Sequence, residues 1–329
     1  KTAATAEDYS RSPPGCQSRF PANIPFDERT FRWHKERHGG SMGETGRHLN
    51  LQPSGESTGN AASSERGMIG AIETNLFGAW AQLARLPQVD YRNEADAIRF
   101  IGGIPFPLCN SVMRADLAPA GIDGKIEEIL LPFRERKLPM FWWIGPATKP
   151  ADLGSRLEKH GLQYQDETVG MAVDLSGFPV DAEKEMPIRI REVTGEDSLR
   201  DWLAVFRTVF EVPEFVVEFF ASAMRNLGFG SDLPYRHFIG LAGGMPAAVS
   251  SVFFDTEAAG VYNVATLAEF RSRGIGTAMS RAAMNEARIK GCRWSVLHAT
   301  PMGIPVYRKL GYRECCRLRI YSNINDSQR

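Results

Sequence analysis

Between residues 69 and 86, Ile69, Ile72, Leu76, Trp80, Leu83 and Leu86 return every three or four positions, which predicts an amphipathic helix. Short apolar runs at 98–101 and 108–114 predict strands. Asp123 is the expected cap of a helix reaching about Arg136, with Pro132 as a kink or early stop. Phe141-Trp142-Trp143-Ile144 reads as an apolar strand ending at Gly145-Pro146. A helix from about Pro150 to His160 stops at Gly161, and Thr168 to Leu175 is a strand. Pro, Gly and charged residues at 176–187 read as a linker.

The pattern then starts again. Ile188-Arg189-Ile190 alternates as a strand, and helices are expected over 195–209 and 213–226. Strands at 236–241, 246–254 and 260–266 are separated by Gly243-Gly244 and by Asp255 to Ala258, an antiparallel meander. A helix from Gly274 to Lys290, a strand at 293–299, a short helix at 303–310 and a strand at 313–322 complete the chain.

The order helix, apolar strand, helix ending in Gly, strand therefore occurs twice. Lys159 and Lys309, and Gly161 and Gly311, stand at one offset of 150 residues. Two copies of one α/β unit fit the length of 329 residues. The expected units are 68–178 and 186–325.

Residues 1–67 carry no sustained period and are rich in Ser, Gly, Pro, Arg and Glu, a composition that predicts disorder. Their His34 and His38 share the spacing of one helical face, but two histidines without further ligands do not make a metal site, and none is expected. Met68, where order is expected to begin, suits a natural start; the chain itself begins at Lys1.

The formal net charge is +0, which gives no global pull toward nucleic acid or an anionic membrane. No apolar run is long enough to span a bilayer, and the first residues do not form a secretory signal. Five scattered cysteines form no C-x-x-C pair and read as reduced thiols in the cytoplasm. Cys315 and Cys316 are expected on opposite faces of a strand, one of them in the core.

The candidate chemistry lies at Arg271-Ser272-Arg273-Gly274-Ile275-Gly276, where a strand gives way to a helix. A helix start exposes unpaired N–H groups and the positive end of the dipole. Gly274 and Gly276 let a phosphate approach the backbone, and Arg271 and Arg273 add charge for a pyrophosphate. Dinucleotide folds use such turns too, but here a hairpin meander precedes the loop and the third Rossmann glycine is missing.

The stretch Val264 to Gly276, with Glu269-Phe270-Arg271 before the glycines, resembles motif A of the GNAT superfamily of N-acetyltransferases. Val306-Tyr307-Arg308-Lys309-Leu310-Gly311-Tyr312 is similar to the family's closing helix and its glycine-aromatic ending. The resemblance covers about residues 188–323. It implies two tandem acyl-CoA N-acyltransferase folds, each a mixed, mostly antiparallel twisted sheet flanked by helices. It also implies acetyl-CoA as acyl donor and direct attack by a primary amine. The pantetheine would pair with Val264, Ala265 and Thr266, and the pyrophosphate would sit on the N–H groups from Ser272 to Thr277. An N–H near Val264 would stabilise the oxyanion.

Tyr307 stands where many relatives protonate the leaving thiolate; the alternative is a core tyrosine with a satisfied hydroxyl. The Asn that many relatives carry two turns earlier is absent from Thr300-Pro301-Met302-Gly303, with Thr300 as a substitute donor. Glu211, Glu214, Glu218, Asp255 and His298 are open candidates for the base. In the first copy, the loop Ala118 to Gly124 has no arginine, Asp123 would repel a phosphate, and Leu157 replaces Tyr307. That copy is expected to be a degenerate unit closing the acceptor side, with Phe141-Trp142-Trp143 in its core. The acceptor is a small-molecule or protein amine, and the chain a monomer or homodimer. The competing reading is a non-catalytic acyl-CoA-binding regulatory module.

Overall fold

The computed structural model of the chain describes residues 58–178 and 188–324. His34, His38, Cys16 and most of the expected linker lie outside them. The elements run α1 (Thr58–Leu83), β1 (Asp90–Asn93), β2 (Ile98–Ile101), β3 (Asn110–Met113), α2 (Ile122–Glu135), β4 (Phe141–Ile144), α3 (Leu153–Lys159) and β5 (Gln163–Asp174). The second half continues with β6 (Arg189–Glu192), α4 (Glu196–Phe210), α5 (Glu214–Leu227), β7 (Tyr235–Ala242), β8 (Met245–Phe254) and β9 (Ala258–Thr266). It closes with α6 (Ile275–Ile289), β10 (Trp294–Ala299), α7 (Ile304–Lys309) and β11 (Arg313–Ser322).

The strands form one sheet in the order β1-β2-β3-β4-β11-β5-β10-β9-β8-β7-β6. Each half contributes one parallel pair, β3 with β4 and β9 with β10. The last strand of each half lies against the other half: β5 pairs with β10, and β11 with β4. β5 and β11 then pair with each other at the centre. The two units thus share a continuous sheet through exchanged terminal strands.

Helices α1, α4 and α5 cover one face, over a core that includes Ile72, Trp80, Trp202, Phe219 and Trp294. The other face carries α6 and α7 over the second half, around Met279, Met284 and Leu297, and α2 and α3 over the first, around Ile126, Phe133 and Trp142. Trp142, Trp202 and Trp294 are among the largest fully buried side chains. Each removes on the order of 200 Å² from water, about 5 kcal/mol of hydrophobic stabilisation before entropy is counted.

The ends of α3 and α7 are built alike. Gly161 and Gly311 both take positive φ, at 87° and 91°, and their N–H groups bond Glu158 O and Arg308 O at 3.1 and 3.0 Å. The next N–H in each copy, of Leu162 and Tyr312, returns to Leu157 O and Tyr307 O.

Several expectations are corrected. α1 starts at Thr58, so residues 58–67, read as disordered, are helical; their Ala, Ser and Glu residues tolerate a helix that packs further along. The cap of α2 is Gly121, at φ 74°, with Asp123 inside the first turn. α2 does not stop at Pro132 but runs to Glu135, held by buried Leu130 and Phe133. β1 went unrecognised because Asp-Tyr-Arg-Asn is a polar edge strand without alternation. Cys315 and Cys316 do not fall on opposite faces. A register shift between Glu314 and Cys316 makes a bulge there, and both half-buried thiols pack toward α1. The Cys315 Sγ lies 3.9 Å from the Met68 Sδ.

Candidate active site

β9 and β10 pair from Ala258↔Trp294 to Val261↔Leu297 and then part. The divergence has a local cause. β9 holds two residues, Asn263 and Val264, opposite Ser250 alone, since Ser251 pairs with Tyr262 and Val249 with Ala265. Asn263 takes φ 53°, and its Nδ2 donates to Ser251 Oγ at 3.2 Å. A bulge of this kind bends its strand and takes a residue out of the ladder. Val264 is half-buried against the α6-side core, Ala265 is buried, and Thr266 returns to the ladder opposite Ala248.

Beyond Thr266 the chain makes a turn of 3₁₀ helix at Ala268–Phe270 and enters the loop before α6. Arg271 Nε donates to Thr266 O at 3.1 Å, and the Arg273 guanidinium donates to Glu269 O at 2.9 Å while lying over the Phe270 ring. Both arginines therefore brace the loop and remain exposed. Ser272 and Gly274 take φ of 60° and 77°, the left-handed conformations found in anion-binding backbone turns. Gly274 is the N-cap of α6, and its carbonyl takes the N–H of Ala278. The N–H groups of Ile275, Gly276 and Thr277 have no carbonyl a turn earlier within the helix. A Cβ placed on Gly276 would meet nothing within 4 Å. Packing among the described residues does not demand that glycine, and the open helix start is one that could hold a phosphate.

α7 places Tyr307 behind this loop. Its ring packs edge-on to Tyr312 at 5.8 Å and closes over Gly303. Its phenol contacts Ser280 on α6, whose Oγ donates to Gly276 O at 2.9 Å. Burial pushes the phenol up to about 12, with the Ser280 contact opposing it, so the proton is held at neutral pH. Thr300 turns the chain into α7 by accepting from the N–H groups of Gly303 and Ile304.

A second polar group lines the opposite face. The Tyr262 ring stacks on His298 at 6.3 Å, and its hydroxyl donates to Asn75 Oδ1 at 2.8 Å. Asn75 is fully buried on α1 and donates to Asp255 Oδ2 at 2.8 Å and Phe253 O at 3.2 Å. His237 Nδ1 lies 2.8 Å from Ser251 Oγ, and its ring packs between Tyr235 and Trp202. Burial depresses both histidines, His237 to about 3 and His298 to about 4. Among the other base candidates, Asp255 is occupied by Asn75 and by the N–H groups of Glu257 and Ala258. Glu211, Glu214 and Glu218 are exposed, and Glu214 pairs with Arg207.

Residues 246–315 match the family model of the acetyltransferase (GNAT) domain. That stretch contains the bulge, the loop, the splayed pair and Tyr307. Residues 246–315 are GNAT-like. No curated protein matches the chain. Among solved structures, a GCN5-related N-acetyltransferase from Kribbella flavida has TM-score 0.59 at 15% identity, over 76% of this chain and 95% of that one. A GCN5-related N-acetyltransferase from Sphaerobacter thermophilus has TM-score 0.55 at 14% identity, over 78% and 91%. A tandem GNAT protein from the clavulanic acid biosynthesis pathway has TM-score 0.53 at 13% identity, over 80% and 95%. At such identities the likeness concerns fold alone, and the fold is two GNAT-like units in tandem.

In the first unit the loop before α2 also ends in a left-handed glycine, Gly121, with open space at Gly124, but it carries no arginine. Leu157, at the Tyr307 position, is fully buried in the core under α2 and α3. Asp123 contacts His160 near the start of α2. Phe141, Trp142 and Trp143 are all buried, and Trp143 Nε1 donates to Ser111 Oγ. Among the described residues there is no group of three or more His, Cys, Asp or Glu able to hold a metal, and no helix long and apolar enough to cross a membrane.

Asn75, Tyr262, Ser280 and His237 escaped the sequence reading. Asn75 and Ser280 did leave a trace, as polar residues inside apolar helical stripes, beside Ile72 and Leu76 and beside Met279 and Ala283.

Proposed function

We propose that this chain is an N-acetyltransferase that moves the acetyl group of acetyl-CoA to a primary amine, at one site in residues 186–325. The observation that carries the reading is the left-handed loop with open space over Gly276, set beside the gap between β9 and β10. The residues from Ser272 to Thr277 hold the pyrophosphate by backbone N–H groups, with Arg271 and Arg273 bracing the loop. The edge at Val264, Ala265 and Thr266 receives the pantetheine amides as an added strand. The donor supplies an activated thioester, which the amine attacks directly. An N–H at the bulge near Val264 faces the carbonyl oxygen as charge develops there. Tyr307 donates its phenol proton to the departing sulfur. Residues 68–178 act as the wall of the acceptor side, since β5 is the neighbour of β10. The amine belongs to a small molecule or a protein.

The test is release of free thiol from acetyl-CoA across a panel of small amines, lysine and peptide N-termini. Saturable, amine-dependent thiol release is the expected result. Binding of acetyl-CoA without turnover of any amine overturns the enzyme reading in favour of a regulatory acyl-CoA-binding module.

A further inference from the structure

His298 is the first residue of β10 beyond the last pair with β9, Leu297↔Val261, so it stands where the strands part. Trp294 and Val296, at the same alternation, belong to the core under α1, α4 and α5. The imidazole therefore faces that side, while Tyr307 packs on the α6 side. Its Nε2 is buried and has no hydrogen-bond partner among the described residues. Buried polar nitrogens are nearly always paired, and one left open at a strand gap calls for a ligand. The Tyr262 platform is pinned by Asn75, and the residue facing His298 across β5 is Gly170, which has no side chain.

We propose that His298 receives the acceptor amine: Nε2 accepts an N–H of the incoming nitrogen and takes its proton as the C–N bond forms. This rests on the acyl-transfer reading above and names the missing base. The balance is complete. The amine nitrogen bonds the acetyl carbon, the C–S bond breaks, Tyr307 protonates sulfur, and His298 holds the proton lost by nitrogen. Exchange with water then restores both side chains, leaving the amide and the free thiol. Nucleophile and leaving group approach from opposite faces of one sheet, through the gap that the Asn263 bulge opens. Burial keeps the imidazole neutral at neutral pH, with one ring nitrogen bare to accept. Asn75 makes the pocket composite, because a residue of the N-terminal half fixes the ring on which His298 rests.

Two measurements decide this. In His298→Gln, kcat is expected to fall about 100-fold or more, with the KM for acetyl-CoA changed less than about threefold; a kcat within threefold of the parent overturns the proposal. In the unaltered protein saturated with CoA, the ¹⁵N resonance of His298 Nε2 is followed as methylamine, benzylamine, lysine or a peptide N-terminus is added. A saturable shift with at least one amine is expected, and no shift with any of them overturns the proposal even if thiol release is seen. If no amine is turned over but the shift occurs, the transfer reading fails and His298 stands as an amine-binding residue.

Discussion

Asn75 and Tyr262, 187 residues apart in the chain, are joined by a 2.8 Å hydrogen bond that ties α1 to the splayed strand β9. Asn75 also donates to Asp255 Oδ2 and Phe253 O, so one fully buried amide satisfies groups from three segments. Asn75→Ala strands these partners away from water. It is expected to cost about 3 kcal/mol, read as a lower urea midpoint with an unchanged slope. A loss below about 0.5 kcal/mol would mean that water replaces the amide freely.

Tyr307→Phe keeps the ring against Tyr312 and removes the proton donor. Thiol release is expected to slow by about 100-fold, with acetyl-CoA affinity changed less than about threefold. Because burial lifts the phenol to about 12, the parent protein is expected to show no Tyr307-dependent loss of rate between pH 7 and 10. An alkaline limb below pH 10 that vanishes in Tyr307→Phe contradicts this.

His237 and His298 make stability depend on acid. Their folded values, about 3 and about 4, lie below the ordinary histidine value, so between these limits the unfolded chain binds protons that the folded chain does not. Stability therefore rises with pH through that window and is lost as pH falls from about 6.5 toward 4. From pH 7 to 5 each histidine is expected to contribute roughly 2 kcal/mol of loss. Denaturation at the two pH values, repeated in His237→Gln, measures the share of one; an unchanged pH dependence in that variant rules His237 out.

The exchanged strands forbid independent halves. A fragment of residues 188–329 loses β5 along the whole of β10, from Trp294 to Ala299, and loses both neighbours of β11. It is expected to show no cooperative unfolding alone, and to regain it when mixed with the fragment 1–187. A melting temperature within a few degrees of the whole chain would show that the exchange is dispensable.

Much of this was legible in the chain because it is written locally. Phe141 to Ile144 is an uninterrupted apolar run, and the strand has those limits. Gly161 and Gly311 mark helix ends because only glycine takes the left-handed turn cheaply there. The loop from Arg271 to Gly276 was visible through its glycines, although nothing foretold that Ser272 would share their left-handed backbone. The strand exchange was not visible. Alternation in β11 says which residues face a core but not which strand lies alongside. Nor was the Asn75–Tyr262–His298 group, since a contact across 187 residues leaves no spacing to read.

One acyl-CoA cradle per chain is expected, at the start of α6. Calorimetric titration of acetyl-CoA into the whole chain tests it most directly, in the parent and in Gly276→Val. A Cβ at 276 meets no atom of the described residues within 4 Å, so the variant should melt within a few degrees of the parent. The expected result is one binding site per chain in the parent and a loss of affinity of at least about tenfold in the variant, roughly 1.4 kcal/mol. Two sites per chain, or equal affinity in Gly276→Val, would contradict it.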